Sequence, residues 1–178
     1  MIPLGPFPGI PNDFIRAVNQ RLAEFSTLRT PAVSSDAGET YRVRATNSAA
    51  QSIANNAATQ VVEFDYHVYA EGGMHSTTVN NTRFVARARG WYPITAQVEF
   101  AANATGQRGA RLLKNGTDQI AYDLRDASAA GTSSVSVSTQ VLLNAGEWVE
   151  LRAFQNSGGA LNTVQGDGHT YLAIALQA

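Results

Sequence analysis

Residues 91–100, WYPITAQVEF, alternate: Tyr92, Ile94, Ala96, Val98 and Phe100 fall on one side, and Pro93, Thr95, Gln97 and Glu99 on the other. An apolar residue at every second position marks a strand with one face on a core and the other outside it. The same period recurs on both sides of this stretch. In VVEFDYHVYA (61–70), Val62, Phe64, Tyr66 and Val68 alternate with Glu63, Asp65, His67 and Tyr69, which places His67 on the outward or interface face. In RFVARAR (83–89), Phe84, Ala86 and Ala88 alternate with Arg83, Arg87 and Arg89, and in SVSVSTQVLL (134–143) Val135, Val137, Thr139, Val141 and Leu143 share a face. YRVRA (41–45), WVELRAF (148–154) and TYLAIAL (170–176) complete the set. Pro93 has no N–H for a ladder, so its strand is expected near a sheet edge or to begin after it.

Turn chemistry punctuates these runs: Glu71-Gly72-Gly73, Asn80-Asn81, Asn115-Gly116, Ala145-Gly146, Ser157-Gly158-Gly159 and Gly166-Asp167-Gly168. Many short strands at this spacing, each with one polar and one apolar face, predict an all-β, antiparallel two-sheet sandwich over residues 40–178. No helical window long enough for a βαβ unit follows residue 58, which argues against an α/β enzyme fold. SAAQSIANNAAT (48–59) reads as a loop.

The N-terminal segments differ in kind. Residues 1–11 carry Pro3, Pro6, Pro8 and Pro11, a spacing that forbids helix and favours an extended arm. NDFIRAVNQRLAEFSTLR (12–29) reads as one short helix, with Asn12 as N-cap and Asp13 in the first turn. Ile15, Val18, Leu22 and Phe25 form an a/d seam along it, widened by Phe14 and Leu28. That stripe is buried either on the chain's own domain or in a short bundle of identical helices. Residues 30–39, beginning Thr30-Pro31, are a linker.

Composition narrows the class. The chain has 178 residues, 13 Lys+Arg against 14 Asp+Glu and a net charge of −1, so it lacks the basic excess of a nucleic-acid binder. Charged residues make up 15%, below the usual quarter. Such a surface remains when other subunits cover much of it, or when Ser, Thr, Asn and Gln carry the solvation. No cysteine is present, which removes disulfides, thiolate nucleophiles and Cys-type zinc sites. No stretch approaches eighteen uncharged apolar residues, so no membrane contact through a spanning helix is expected. MIPLGPFPGIP has neither a basic n-region nor an unbroken apolar run and does not read as a secretory leader.

The order of strands and turns resembles the C1q/tumour-necrosis-factor-like jelly roll over residues 61–178. The matching features are Val62-Glu63-Phe64-Asp65, Arg83-Phe84, Gly90-Trp91-Tyr92-Pro93-Ile94, Leu113-Lys114-Asn115-Gly116, Leu143 to Leu151 (LNAGEWVEL), Asn156-Ser157-Gly158-Gly159 and Tyr171 to Leu176 (YLAIAL). The family's collagen-like stalk is replaced here by the proline arm and helix, and Ala173 stands where the family usually has Gly. The resemblance implies a homotrimer with first and last strands adjacent, the helix gathered at one end, and a role in display, adhesion or assembly. Phe64, Tyr66, Phe84, Tyr92, Val98, Phe100, Leu151 and Tyr171 are then knob core or trimer interface, and Ile15, Val18, Leu22 and Phe25 a trimer seam.

Bacteriophage head and tail proteins with C1q-like knobs are the setting this combination resembles. The expectation is a non-enzymatic virion structural protein, made in the host cytoplasm and attached to a capsid or tail platform through Pro3, Leu4, Phe7, Pro8 and Ile10. Its alternative is an adhesion module that recognises a host-surface glycan or protein through the loops of the trimeric knob.

Catalytic and cofactor signatures are sparse. His67, His75 and His169 show no i, i+4 pairing and no HExxH, so no zinc site is expected. No GxSxG elbow occurs, and the Gly-rich turns open no helix that would hold a phosphate. No cofactor is expected. Calcium is the one ion the resemblance admits, with Asp118, Asp123 and Asp126 as its acidic residues and exposed hairpin charges as the plainer reading. Trp91, Trp148, Tyr92 and Tyr171 read as core or interface before they read as a carbohydrate platform. Arg83, Arg87 and Arg89 form a basic stripe, expected to pair across strands with Glu63 or Asp65 or to meet a polyanion.

Overall fold

The computed structural model describes Phe14, Val18, residues 40–56 and residues 59–177. The chain divides into two units, Met1–Ser34 and Ser35–Ala178. In the first, Phe14 and Val18 are helical, Phe14 exposed and Val18 half-buried. The arm residues Pro3, Leu4, Phe7, Pro8 and Ile10, the rest of the 12–29 helix with Ile15, Leu22 and Phe25, and the linker up to residue 39 lie outside the described residues.

The second unit holds twelve strands: β1 (Arg42–Thr46), β2 (Ser52–Ile53), β3 (Gln60–Val61), β4 (Tyr66–Glu71), β5 (Phe84–Val85), β6 (Gly90–Phe100), β7 (Gln107–Lys114), β8 (Asp118–Asp126), β9 (Ser133–Leu143), β10 (Trp148–Gln155), β11 (Leu161–Asn162) and β12 (Tyr171–Ala175). One five-stranded sheet runs β4-β1-β12-β6-β9. The other runs β3-β10-β7-β8, and β5 joins it by pairing with β10 beside Trp148 and Val149. All pairings are antiparallel. The chain passes from β6 across to β7 and β8, back to β9, across to β10 and back to β12, which is jelly-roll threading. β1 and β12, the first and last strands, lie side by side with Val43 opposite Ile174.

The alternation in the sequence becomes the sandwich core. Tyr92, Ile94, Ala96, Val98 and Phe100 of β6 face Phe64, Phe84, Leu112, Val149 and Leu151 in one buried cluster. Burying each large side chain contributes roughly 1.5–3 kcal/mol. Phe64 and Phe84 meet edge to face with ring centroids 5.4 Å apart. The β7–β8 hairpin turns at Asn115-Gly116, both in the left-handed region with φ of 51° and 78°. That conformation matches the twist of the flanking strands and explains the Asn-Gly pair.

Three local expectations are corrected. β6 is a central strand, flanked by β12 and β9, although it contains Pro93. Pro93 stands opposite Gln140 of β9, and on the other side the ladder to β12 begins only at Ile94, so a residue without an N–H is accommodated at the start of that ladder. Residues 48–59 contain β2, which pairs with β11 through Ile53 and Leu161. The stretch 61–70 is not one strand. Val62 and Phe64 are buried, but Tyr66 is 57% exposed and Val68 40%. The chain breaks after Asp65, and the β4–β1 register then shifts, with Tyr69 opposite Arg44 but His67 opposite Ala45. Val68 is thus an extra residue, and a bulge of this kind reverses which side chains face inward.

Candidate functional site

The outer face of the five-stranded sheet has an unusual composition. The three neighbouring strands β12, β6 and the edge strand β9 present Trp91, Pro93, Thr95, Gln97 and Glu99 from β6, Ser134, Ser136, Ser138, Gln140 and Leu142 from β9, and Tyr171, Ala173 and Ala175 from β12. Glu99, at one end, carries the only charge among them. Small side chains dominate the middle: Ala173 lies opposite Thr95, which lies opposite Ser138. Trp91, at the other end, is 52% exposed. Charges gather at the margins in pairs. Arg42 meets Glu71 at 2.7 Å, and Arg44 meets Asp167 at 2.6 Å while stacking on Tyr171.

No family model matches this sequence, and no curated protein does. Among solved structures, murine APRIL at pH 5.0 is similar, with a TM-score of 0.61 at 12% identity over 78% of this chain and 100% of that one. Murine APRIL at pH 8.5 gives 0.59 at 13% identity over 79% of this chain and 100% of that one. The Eiger TNF of S. frugiperda gives 0.57 at 10% identity over 79% of this chain and 94% of that one. The fold is a TNF-like jelly roll. At these identities the likeness extends to the fold alone.

Residues singled out in the sequence divide among three places. Phe64, Phe84, Tyr92, Val98, Phe100 and Leu151 lie in the core. Tyr171 is half-buried beneath Arg44, and Tyr66 stands outside the core on the edge strand β4. Asp118 and Asp126 sit at opposite ends of the nine-residue β8, so roughly 26 Å of strand separates them, too far to share an ion. Asp123 pairs instead with Arg125 at 2.6 Å, and Asp126 accepts from Gln107. No group of three metal-binding side chains occurs among the described residues.

The basic stripe does not make its expected cross-strand pairs. Asp65 accepts two hydrogen bonds from Ser48, backbone N–H and hydroxyl, each 2.6 Å. Burial works to raise its pKa, and these bonds outweigh burial and hold it below the usual carboxylate range. Arg83 lies over the Trp148 indole, 4.2 Å from the ring centroid. Arg87 donates from Nε and Nη2 to the carbonyl of Gly73. Both line a cleft of about 580 Å³ with Met74, His75, Val79 and Trp148.

Two histidine contacts carry no sequence signal. His67 Nε2 is 2.8 Å from His75 Nδ1, and His75 Nε2 is 3.0 Å from the carbonyl of Asn81. The Val68 bulge turns His67 inward, correcting its expected outward placement. His169 Nδ1 is 2.9 Å from Glu99 Oε2. Glu99 is pushed up by burial, but hydrogen bonds from Thr132, His169 and Ser134 prevail and leave it below its ordinary value. An acid–histidine pair is half of a hydrolytic site. Here the neighbouring hydroxyls of Thr132 and Ser134 serve the carboxylate, not the imidazole.

Arg108 is a further residue whose role the sequence did not reveal. It is fully buried with no carboxylate beside it, and its guanidinium donates to the carbonyls of Asn103, Thr105 and Gln107. It closes the β6–β7 loop as a hub of charge-assisted bonds.

Proposed function

We propose that this chain is a non-enzymatic, homotrimeric structural knob of a bacteriophage virion, a capsid decoration or small tail-associated protein, held to its platform by residues 1–11. The observation that carries the reading is the outer face of β6, β9 and β12. A solvated sheet face normally bears alternating charges, whereas this one bears Ser, Thr, Ala and Gln around an exposed Trp91. Small uncharged residues let a second sheet approach closely with little desolvation cost. The C1q/TNF-like family implies that the covering partner is another copy, three to a particle. The hydroxyl neighbours of Glu99–His169, engaged away from the imidazole, support a role without catalysis.

Three copies would present each loop three times, so weak single contacts add through avidity. A proline-rich arm loses little conformational freedom when it lies along a platform protein, because its backbone is already stiff. The deciding experiment is the mass of the purified chain by light scattering at low micromolar concentration. Three times the 19.0 kDa chain mass is expected. A stable monomer overturns the reading. Electron microscopy of native particles then locates the knob, and its absence from purified virions removes the virion assignment.

A further inference from the structure

The cleft between the β4–β5 loop and the start of β10 differs in charge from the rest of the protein. Five cations elsewhere are each held by a carboxylate: Arg42 by Glu71, Arg44 by Asp167, Lys114 by Glu147, Arg125 by Asp123 and Arg152 by Glu150. Arg83 and Arg87 are not, nor are Arg89, Arg108 and Arg111, but Arg83 and Arg87 share one cleft, and no Asp or Glu lines it. Two guanidinium groups thus face one concavity with no counter-charge in it, in a protein whose net charge is −1.

Both groups are also held in place. Arg83 places its Cζ over the Trp148 indole, 4.2 Å from the ring centroid, and its side-chain N–H groups meet no acceptor among the described residues. Stacking of this kind fixes the guanidinium plane and leaves its edge open for a bidentate acceptor. Arg87 is fixed by the Gly73 carbonyl through Nε and Nη2, which leaves Nη1 uncommitted. His75 forms part of the wall and adds no charge. Burial, the larger cause, and the neighbouring His67 push its pKa down, although the Asn81 carbonyl works the other way, and both of its ring nitrogens are already engaged.

The remaining lining is mixed. Val79, Val85 and Trp148 supply apolar surface, and Ser76 and Asn80 supply hydroxyl and amide groups. Val79 is 66% exposed, an apolar side chain at the rim without cover. The volume, about 580 Å³, lies within the range of small-ligand sites. An acceptor with two coplanar oxygens suits the guanidinium edge, and a ring bearing both C–H faces and hydroxyls suits the mixed walls.

We infer that this cleft binds a sugar acid, with the carboxylate on the edges of Arg83 and Arg87 and the ring against Val79, Val85 and the Ser76–Asn80 loop. The site lies within one protomer. It holds whether or not three chains assemble, and it does not rest on the virion reading.

Calorimetric titration of the full chain at low ionic strength tests this with four probes: glucuronate, N-acetylneuraminate, glucose and inorganic phosphate. At least one sugar acid is expected to bind saturably, one ligand per chain, while glucose does not. Arg83→Gln should weaken that binding roughly tenfold or more with an unchanged melting temperature, since a charge-assisted pair is lost. Arg83→Lys, which keeps the charge but not the planar fork, should recover only part. Saturable binding of phosphate as tight as that of both sugar acids overturns the sugar assignment and leaves a bare oxyanion site. No saturable binding by either sugar acid, or binding unaffected by Arg83→Gln, overturns the inference.

Discussion

His67 donates from Nε2 to Nδ1 of His75, 2.8 Å away. The direction follows from the far side of His75, where Nε2 can only donate, because its partner is the Asn81 carbonyl. His75 must therefore accept at Nδ1, which requires it to be neutral. Its ring stacks on Phe84, centroids 4.4 Å apart, and is 8% exposed. The pair ties the edge strand β4 to the loop that carries one wall of the cleft.

Protonating His75 abolishes that acceptor and places a charge against Phe84. Its pKa in the folded chain is lowered, chiefly by burial, whereas the unfolded chain titrates near the ordinary value of 6.5. The unfolded state then binds more protons between the two values. The contribution to stability is full above pH 6.5 and is lost as pH falls through the lowered folded-state pKa. Urea melts at pH 5 and pH 7 should show a lower midpoint at pH 5. His75→Phe should flatten that component while costing about 1 kcal/mol at pH 7, because the His67 N–H loses its acceptor and the Asn81 carbonyl keeps only the Phe64 N–H of its two donors. An undiminished pH dependence in His75→Phe contradicts this account.

Ala173 sits opposite Thr95 in the uncharged middle of the outer sheet face. Ala173→Arg would bring a cation from each copy into the middle of an assembled trimer, at a cost of several kcal/mol per ion. Sedimentation should show monomers of unaltered circular dichroism. Retention of the parent mass means that association uses another surface.

Gly106 has φ of 74°, and a Cβ there would stand 2.9 Å from the carbonyl carbon of Asn156 and nearer still to its oxygen. Gln107 N–H also donates to the Asn156 side chain, so the backbone has little room to yield. Gly106→Ala should lower stability by about 2 kcal/mol or more, the strain of a left-handed alanine plus the clash. Thermal unfolding measures it, and a shift under a degree would show that the loop relaxes freely.

Arg108→Met keeps an apolar stem over Phe100 but takes the guanidinium donor from the carbonyls of Asn103, Thr105 and Gln107, the last of which keeps the Asn156 N–H. A loss of about 2–4 kcal/mol is expected from the unsatisfied groups. Hydrogen exchange should rise first in the β6–β7 loop. Equal stability in denaturant would mean that water replaces the guanidinium at no cost.

The strands were legible in the chain because alternation is a local property. Tyr92 to Phe100 point into the core for the same steric reason that any extended backbone sends neighbours to opposite sides. The Asn115-Gly116 turn was equally local, since only residues tolerant of positive φ fit between β7 and β8. Where alternation misled, at Tyr66 and His67, one extra residue at Val68 of β4 shifts the phase, and it shows only in the register against β1.

The candidate sites depended on the closed sandwich. Arg83 and Trp148 are 65 positions apart, and they meet only because β5 pairs with β10. Glu99 and His169 are separated by 70 positions. Their neighbours in the chain say nothing of each other, since pairing across sheets is set by register and loop path. Period and turn chemistry therefore dictated an antiparallel sandwich from short-range sterics alone. Which side chains share a cleft, and which cations lack a carboxylate, emerged only once the sheets had packed, because electrostatic and packing partners are chosen by distance in space.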